Sequence, residues 1–496
     1  MKKRLSRNIR LAACLATCLA TMAMAGACSP FHTAAPPSRV TLPSRFVQAP
    51  AGTDPATDLT TWWRSWNDPA LTRMVETALA ANPDIRIARD NVLQARAAHV
   101  IARSTLYPTV GATGNIGGGG MSWRNPAALS QMSDGDPATD GHLAGIGASW
   151  EPDLFGARHA DSRAARALML GQQAEYHGMQ MLVAADVAEN YLRAQGIQRQ
   201  VDLLDRSIGI LQRLRTYTQA RFVAGQAVSA DVRAVDEKLS LQRARRPLLV
   251  EEYDLHRRRL AILSGQAPEG APSLPAPGAF FVPAAPVGEM PDTVLERRPD
   301  VLARRDQVEA ALDRLKSAKT DLLPRFGLEF FGGDGRLRFD GIPGLSGTGG
   351  LIALTTYLPI FTAGRVHARI HAAHARLDAA VAGYDRTVLN ALAEVEDAYE
   401  ARTSADARAH DLATAVSQAG RNVSDVTGLY EGGQRMMHDI LRARLDELDA
   451  REQVLRNEDM QTLASVHLAR ALGGGWKHDA DDAAPQPSRG HARTHG

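Results

Sequence analysis

The stretch "SWEPDLFGARHADSRAARA" (149–167) carries an aromatic, strand-like segment without a linker into an alanine- and arginine-rich segment of helical composition. Some 206 residues later, "TTYLPIFTAGRVHARIHAAHARL" (355–377) does almost the same. Two such junctions in one chain point to an internal repeat, and repeats decide architecture before any local propensity does.

The repeat extends well beyond the junctions. "NPDIRIARDNVLQARAAHVIARSTLYP" (82–108) aligns without a gap with "RPDVLARRDQVEAALDRLKSAKTDLLP" (298–324), Pro83 and Pro299 being 216 apart, as are Pro108 and Pro324. Pro152 and Pro359 are 207 apart, so the intervening segment is nine residues shorter in the second copy. Gly225 and Gly433, in "RFVAGQAVSADV" (221–232) and "LYEGGQRMMHDI" (429–440), are 208 apart. Each copy reads as helix, two strands, long helix, tight turn, helix. The variable length falls between the strands, where a surface hairpin loop tolerates it.

The long helices are marked by what they lack and by their seams. No proline occurs between Pro152 and Pro247, or between Pro359 and Pro485. Val201, Leu204, Ile208 and Leu211 are spaced 3, 4, 3, and Leu377, Val381, Tyr384, Val388, Ala391, Val395 and Ala398 alternate 4 and 3. That spacing is a coiled-coil seam. A helix from about Ala157 to about Phe222 would reach roughly 100 Å, beyond a globular domain's diameter.

The strand segments are "LYPTVGATGNIGGGG" (106–120), "GHLAGIGASWEPDLF" (141–155), "PRFGLEFFGGDGRLRF" (324–339) and "GTGGLIALTTYLPIF" (347–361). Each holds about 10 extended positions, the length of a tilted transmembrane strand. Phe326, Leu328 and Phe330 alternate with Gly327, Glu329 and Phe331, as a two-faced strand requires. Tyr107, Trp150, Phe155, Tyr357 and Phe361 lie near the ends, where an interfacial girdle would sit. "GGDGRLRFDG" (332–341) is read as the outer turn of the second hairpin. Gly117 to Gly120 lack the Lys-Ser/Thr of a phosphate loop and are placed in the first hairpin.

Of the 496 residues 44% are apolar and 23% charged, ordinary for a folded protein, and a net charge of +2 gives no electrostatic reason for nucleic-acid binding. Aromatics are only 5% and alanine is abundant, which favours small-residue helix packing. "MKKRLSRNIR" followed by an apolar run (11–25) reads as an export signal. Ala23-Met24-Ala25 fits a signal-peptidase site, and Ala25-Gly26-Ala27-Cys28 fits a lipobox lacking its usual leucine. Cys14 and Cys18 leave with the signal, so Cys28 would be the sole thiol of the exported chain and is the candidate lipidation site. No later run is apolar enough for a transmembrane helix. An exported chain with four membrane-length strands cannot close a barrel alone, and open edges are excluded from lipid, so it must share a cylinder with copies of itself. Pro152 and Pro359 would sit where each second strand hands the chain to a helix, a place needing no ladder donor.

These segments resemble a family. "TWWRSWNDPALTRMVETALAANPDIRIARDNVLQARA" (61–97), "LERRPDVLARRDQVEAA" (295–311), "LPIFTAGRVHARI" (358–370) and the Pro-rich "GQAPEGAPSLPAPGAFFVPAAP" (265–286) are similar to the bacterial outer-membrane factors, TolC-like ducts of efflux and type I secretion, most like their NodT-type lipoprotein branch. The resemblance implies an α+β membrane protein, a homotrimer with a 12-stranded β-barrel, four strands per protomer, continuous with a long periplasmic α-helical barrel. The organisation expected is signal peptide 1–27, lipidated extended segment 28–60, first repeat 61–264 (hairpin about 108–155, tip turn near 225), linker 265–297, second repeat 298–475 (hairpin about 324–361, tip turn near 433) and disordered tail 476–496.

The function implied is a passive gated duct in the cell outer membrane, exporting small molecules such as drugs and aromatic compounds. Its partners would be a periplasmic adaptor, an inner-membrane pump of RND or MFS type, and outer-membrane lipid, with no nucleic acid. The resemblance places the adaptor-contacting tips at Arg221, Gly225, Asp231 and Gly433, and the periplasmic gate at Asp439, Tyr430, Arg435 and Arg442. Three symmetry-related Asp439 carboxylates facing one axis would repel, bind cations, or pair with Arg435 or Arg442. The alternative for Asp439 is a helix cap. Leu429 stands where arginine is expected and Arg442 where a second acid often lies, so the closing network departs from the family pattern.

His367, His371 and His374 share one helix face, read as solvated or lumen-facing rather than metal-binding; Trp62, Trp63 and Trp66 are read as packing a short N-terminal helix. No catalytic set, cofactor motif or metal signature is found, so no enzyme is expected. Two rivals remain: a type I protein-secretion duct, and a structural coiled-coil envelope lipoprotein.

Overall fold

The computed structural model describes residues 33–50, 58–120, 138–339 and 342–476. In chain order they form a 3-10 helix (Leu59–Trp66), α1 (Pro69–Ala81), α2 (Pro83–Ser104), β1 (Thr109–Gly120), β2 (Ala138–Trp150), α3 (Ala157–Val223) and α4 (Ser229–Leu263). After the linker come α5 (Pro291–Arg297), α6 (Pro299–Thr320), β3 (Arg325–Phe339), β4 (Ile342–Tyr357), α7 (Arg365–Glu431) and α8 (Met437–Ala471). The duplication is metrically close: α2 and α6 have 22 residues each, α3 and α7 have 67, α4 and α8 have 35.

The same clasp closes both copies. Asn82 caps α2, its Oδ1 accepting from the backbone of Asp84 at 2.8 Å and Ile85 at 3.2 Å, while its Nδ2 donates to the Leu263 carbonyl at 2.9 Å. Arg298 holds the equivalent place before α6 and donates from Nη1 to the Ala471 carbonyl at 3.1 Å. Leu263 and Ala471 end α4 and α8. One side chain thus ties the start of each copy to its last helix and satisfies a terminal carbonyl that the helix leaves open. Gly265 and Gly473 follow those ends with φ near +72° and +78°, the left-handed cap conformation that glycine adopts without penalty.

The four strands form one antiparallel sheet in the order β1-β2-β3-β4. The two hairpins therefore fuse through β2 and β3. The strands run to 12, 13, 15 and 16 residues, longer than the ten expected. Most of "GGDGRLRFDG" is strand and not an outer turn: Asp334 faces Thr348 and Arg336 faces Ser346 across the ladder, and only Asp340 and Gly341 lie outside the described residues. Its glycines mark close approach. A Cβ on Gly333 would stand 2.5 Å from the Ala144 carbonyl oxygen and 3.0 Å from Phe331 Cζ.

The chain divides into two compact units, each drawing on both copies. Of the described residues, one comprises 33–38, 92–120, 138–172, 304–339 and 342–385 and contains the sheet. Its helices meet through small residues, Ala164 and Ala167 against Ala310, and through Leu315 with Ala373 and Leu377. Arg163 Nε and Nη2 fork onto the Asp313 carboxylate at 3.2–3.3 Å. The other unit comprises, of the described residues, 39–50, 58–91, 173–303 and 386–476. Trp62, Trp63 and Trp66 are buried there with Leu71, Val75, Val187, Tyr191, Tyr399 and Leu472. The Pro-rich linker is held by side chains reaching its carbonyls: Arg257 to Pro272, Gln195 to Pro275, Arg402 to Pro283 and Tyr399 to Pro286, at 2.8–3.0 Å. Those donors answer backbone acceptors that no sheet or helix satisfies. The seams pack as their spacing requires: Leu204, Ile208 and Leu211 are buried with Leu239 of α4, and Val388, Ala391, Val395 and Ala398 of α7 are buried.

Candidate functional site

Cross-strand partners share a face of a sheet and successive residues alternate, so the register sorts this sheet into two surfaces. One carries Val110, Ala112 and Ile116 of β1, Ile146, Ala148 and Trp150 of β2, Leu328 and Phe330 of β3, and Ile352 and Leu354 of β4. Ile116 is 92% and Ile352 78% exposed. The other carries Thr109, Thr113 and Asn115, Ser149, Glu329 and Thr355, with glycines at many of the remaining places and an apolar minority of Phe331 facing Leu351, Leu337 facing Leu345, and Leu143. One apolar, exposed face backed by a polar and glycine-rich one is the pattern of a barrel wall between lipid and an aqueous lumen.

Each strand-to-helix junction is built on a left-handed glycine. Gly156 has φ +81° immediately before α3, and Gly364 has φ +82° immediately before α7. The carbonyls of Gly156 and Gly364 accept the first helical hydrogen bonds from Ala160 and Ala368, both at 2.9 Å. The prolines mark these turns, but the glycines make them. Pro152 lies four residues before its glycine and Pro359 five; the extra residue, Ala363, is itself left-handed at φ +48°. Trp150 Nε1 donates to the Leu106 carbonyl at 3.0 Å, fixing the end of β2 beside the entry to β1.

The two helical tips match hydrogen bond for hydrogen bond. Gly225 (φ +72°) donates to Phe222 and Gln226 to Arg221; Gly433 (φ +71°) donates to Tyr430 and Gln434 to Leu429. Asp231 Oδ2 accepts from the Val228 backbone at 3.1 Å, and Asp439 Oδ2 from the Met436 backbone at 3.0 Å. Both carboxylates thus cap the helix that follows, as the plainer reading of Asp439 anticipated. The Met436 hydrogen bond, then the charges of His438, Arg435 and Arg442, hold the Asp439 carboxyl below its ordinary range. His438 Nε2 lies 3.1 Å from Asp439 Oδ1, and its ring stacks on Tyr217 of α3 with centroids 6.4 Å apart. Arg221 closes its own turn, donating to the Gln226 carbonyl at 3.0 Å with its guanidinium over Tyr217. Leu429 cannot do this in the second copy. Tyr430, Arg435, Met436 and Arg442 are exposed around that turn, and Phe222, Val223 and Val228 around the first.

Cys28 lies outside the described residues. His367, His371 and His374 are exposed on α7, His374 pairing with Asp378 at 3.1 Å. Among the described residues no cluster of His, Cys, Asp and Glu is arranged to hold a metal, and no helix is long and apolar enough to cross a membrane. The last statement has no bearing on the strands.

The sequence pattern of the outer membrane efflux protein family matches residues 74–266 and 290–474. The pyoverdine export outer membrane protein OpmQ of Pseudomonas aeruginosa is 27% identical over 462 residues, 92% of this chain and 95% of that protein. The toluene efflux pump outer membrane protein TtgF of Pseudomonas putida is 28% identical over 429 residues, 86% of this chain and 87% of that one. The solved structure of the outer-membrane channel OprN superposes with a TM-score of 0.78 at 25% identity, covering 90% of this chain and all of that one. The family match spans both structural copies and the paired hairpins, and the chain is a member of the outer membrane efflux protein family.

Proposed function

We propose that the protein is the outer-membrane duct of a tripartite efflux system, a homotrimer whose four-stranded sheets close into a 12-stranded barrel. The observation that carries this reading is the sheet itself: four membrane-length strands with one apolar face, and free edges at β1 and β4. Unpaired ladder groups cannot face lipid, so each edge meets the opposite edge of a neighbouring copy. The helices continue the tube on the periplasmic side, where a periplasmic adaptor and an inner-membrane pump of RND or MFS type load it. The duct has no energy source of its own.

The tips are the regulated part. Asp439, Tyr430, Arg435 and Arg442 form the gate, and Arg221, Gly225, Asp231 and Gly433 shape the turns an adaptor hairpin grips. The exposed apolar groups beside those turns support a docking role. Adaptor binding shifts the trimer from a closed to an open tip by binding the open one more tightly. Cys28 carries a lipid anchor in the outer membrane. The names of OpmQ and TtgF favour small amphipathic or aromatic cargo over protein.

Purified protein in planar bilayers is expected to give discrete, low-conductance channels, and a deletion strain is expected to accumulate aromatic drugs. A protein with no channel activity whose loss leaves accumulation unchanged would refute the duct.

A further inference from the structure

Beyond the apolar band, the polarity of the sheet inverts. On the apolar face, the rows toward the hairpin turns change to Asp140 and His142 in β2 and to Asp334, Arg336 and Arg338 in β3. These are residues for water and lipid headgroups. At the same level the opposite face carries Leu143, Leu337 and Leu345 on three consecutive strands, with Phe331 facing Leu351 deeper on that same face. Leu337 faces Leu345 directly across the ladder, and Leu143 faces Gly335.

The layer is built, not incidental. A Cβ on Gly335 would lie 3.1 Å from Leu143 Cδ1, and one on Gly141 would lie 3.0 Å from Leu337 Cδ1. Leu143 and Leu337 therefore lie down over a glycine of the neighbouring strand and not upright in solvent. Leu143 and Leu337 nonetheless remain 41% exposed and Leu345 68% exposed. Lipid does not account for them, because at this level β2 and β3 already present Asp140, His142, Arg336 and Arg338 on the lipid side, Ile116 of β1 being the apolar exception in that row. They belong to the inside.

We infer that these three leucines form an apolar collar inside the outer mouth of the duct, which selects cargo by hydration. This rests on the proposed trimeric duct, in which each subunit contributes one set. A ring of leucines offers permeants no hydrogen bonds, so a hydrated ion must shed water to pass, whereas an uncharged or amphipathic aromatic molecule gains apolar contact there. The collar lets such cargo out and holds back charged solutes from outside, independently of the tips.

The test probes the lumen from the exterior, so the state of the tip gate does not enter. Glu329 lies on the lumen face, deeper than the leucines along β3. In intact cells carrying Glu329→Cys, thiol labelling is compared for two maleimides of similar size, one uncharged and one bearing a permanent charge. The chain without Glu329→Cys supplies the background from Cys28. The charged reagent is expected to react at least about tenfold more slowly, and Leu143→Ser with Leu337→Ser and Leu345→Ser to abolish most of that difference. Equal rates for both reagents in the otherwise unaltered chain would overturn the collar while leaving the duct standing. No labelling by either reagent, with or without the serine changes, would overturn the collar and the lumen assignment together. Should the serine variants fail to assemble, the ratio of rates without them still decides.

Discussion

At the scale of single residues, Asp439 separates two physical roles that one carboxylate can combine. As a cap it needs only an acceptor for the Met436 N–H; as a gate element it needs its charge. Asp439→Asn keeps an acceptor and removes the charge, while Asp439→Ala removes both. If repulsion or ion pairing at the axis sets the gate, both variants raise single-channel conductance. If capping alone matters, only Asp439→Ala does, with a loss of about 0.5–2 kcal/mol in tip stability. Since the folded carboxyl titrates below its ordinary range, its contribution is present above that range and is lost as pH falls through the lowered value. Between pH 5 and 8 the Asp439 carboxylate is expected to stay ionised, so any change of conductance with pH in that window that survives in Asp439→Asn does not come from this carboxyl. The turn glycines at 225 and 433 were legible because a left-handed turn between two helices leaves a Gly-Gln signature in both copies. The junction glycines at 156 and 364 were missed, as the prolines beside them drew the reading. Asn82 and Arg298 align across the two copies, but their common task could not be read from sequence, since two unlike side chains reach the equivalent carbonyls of Leu263 and Ala471.

At the scale of elements, helices α3, α4 and α8 meet around a half-buried carboxyl. Asp459 of α8 accepts from Gln200 Nε2 at 2.7 Å, with the Arg199 guanidinium 3.9 Å away and Arg193, Glu252 and Glu458 nearby. Burial pushes its pKa up to about 6, against the pull of Arg199 and Gln200. A carboxyl whose folded value lies above its unfolded one disfavours folding once it ionises. That cost is absent below the ordinary carboxylate range, grows as pH rises to about 6, and is then constant. Asp459→Asn is expected to raise the heat-dissociation midpoint of the oligomer at pH 7.5 and leave it unchanged at pH 4. The gain corresponds to about 1–3 kcal/mol. An equal effect at both pH values would remove the ionisation argument. The sheet makes its own prediction, because neighbours on β4 face opposite ways. Ile352→Arg puts a charge on the lipid face, costing about 2–4 kcal/mol at mid-membrane, and is expected to lower the amount of assembled protein in the outer membrane. Ala353→Arg, on the lumen face, is expected to leave assembly intact. Equal loss from both would refute the face assignment. Helix extents were readable from proline-free runs and heptad seams. Strand lengths were not, because glycines that admit bulky cross-strand neighbours look like turn residues in a linear reading.

At the scale of the whole molecule, duplication explains why the chain is written twice and the sheet only once. Each copy supplies a hairpin, the hairpins join through β2 and β3, and the result still has two open edges. The family and the architecture were legible because a repeat with a constant offset and two strand-to-helix junctions is a long-range signal, robust to local error. The leucine collar was not, since it depends on the register of three strands. The need for a shared wall is the central claim, and the mass of the intact assembly tests it most directly. Light scattering or native mass spectrometry of the detergent-solubilised, unheated protein is expected to give three chains per particle, falling to one on heating. A single-chain particle that remains folded in detergent and conducts ions in bilayers would contradict it.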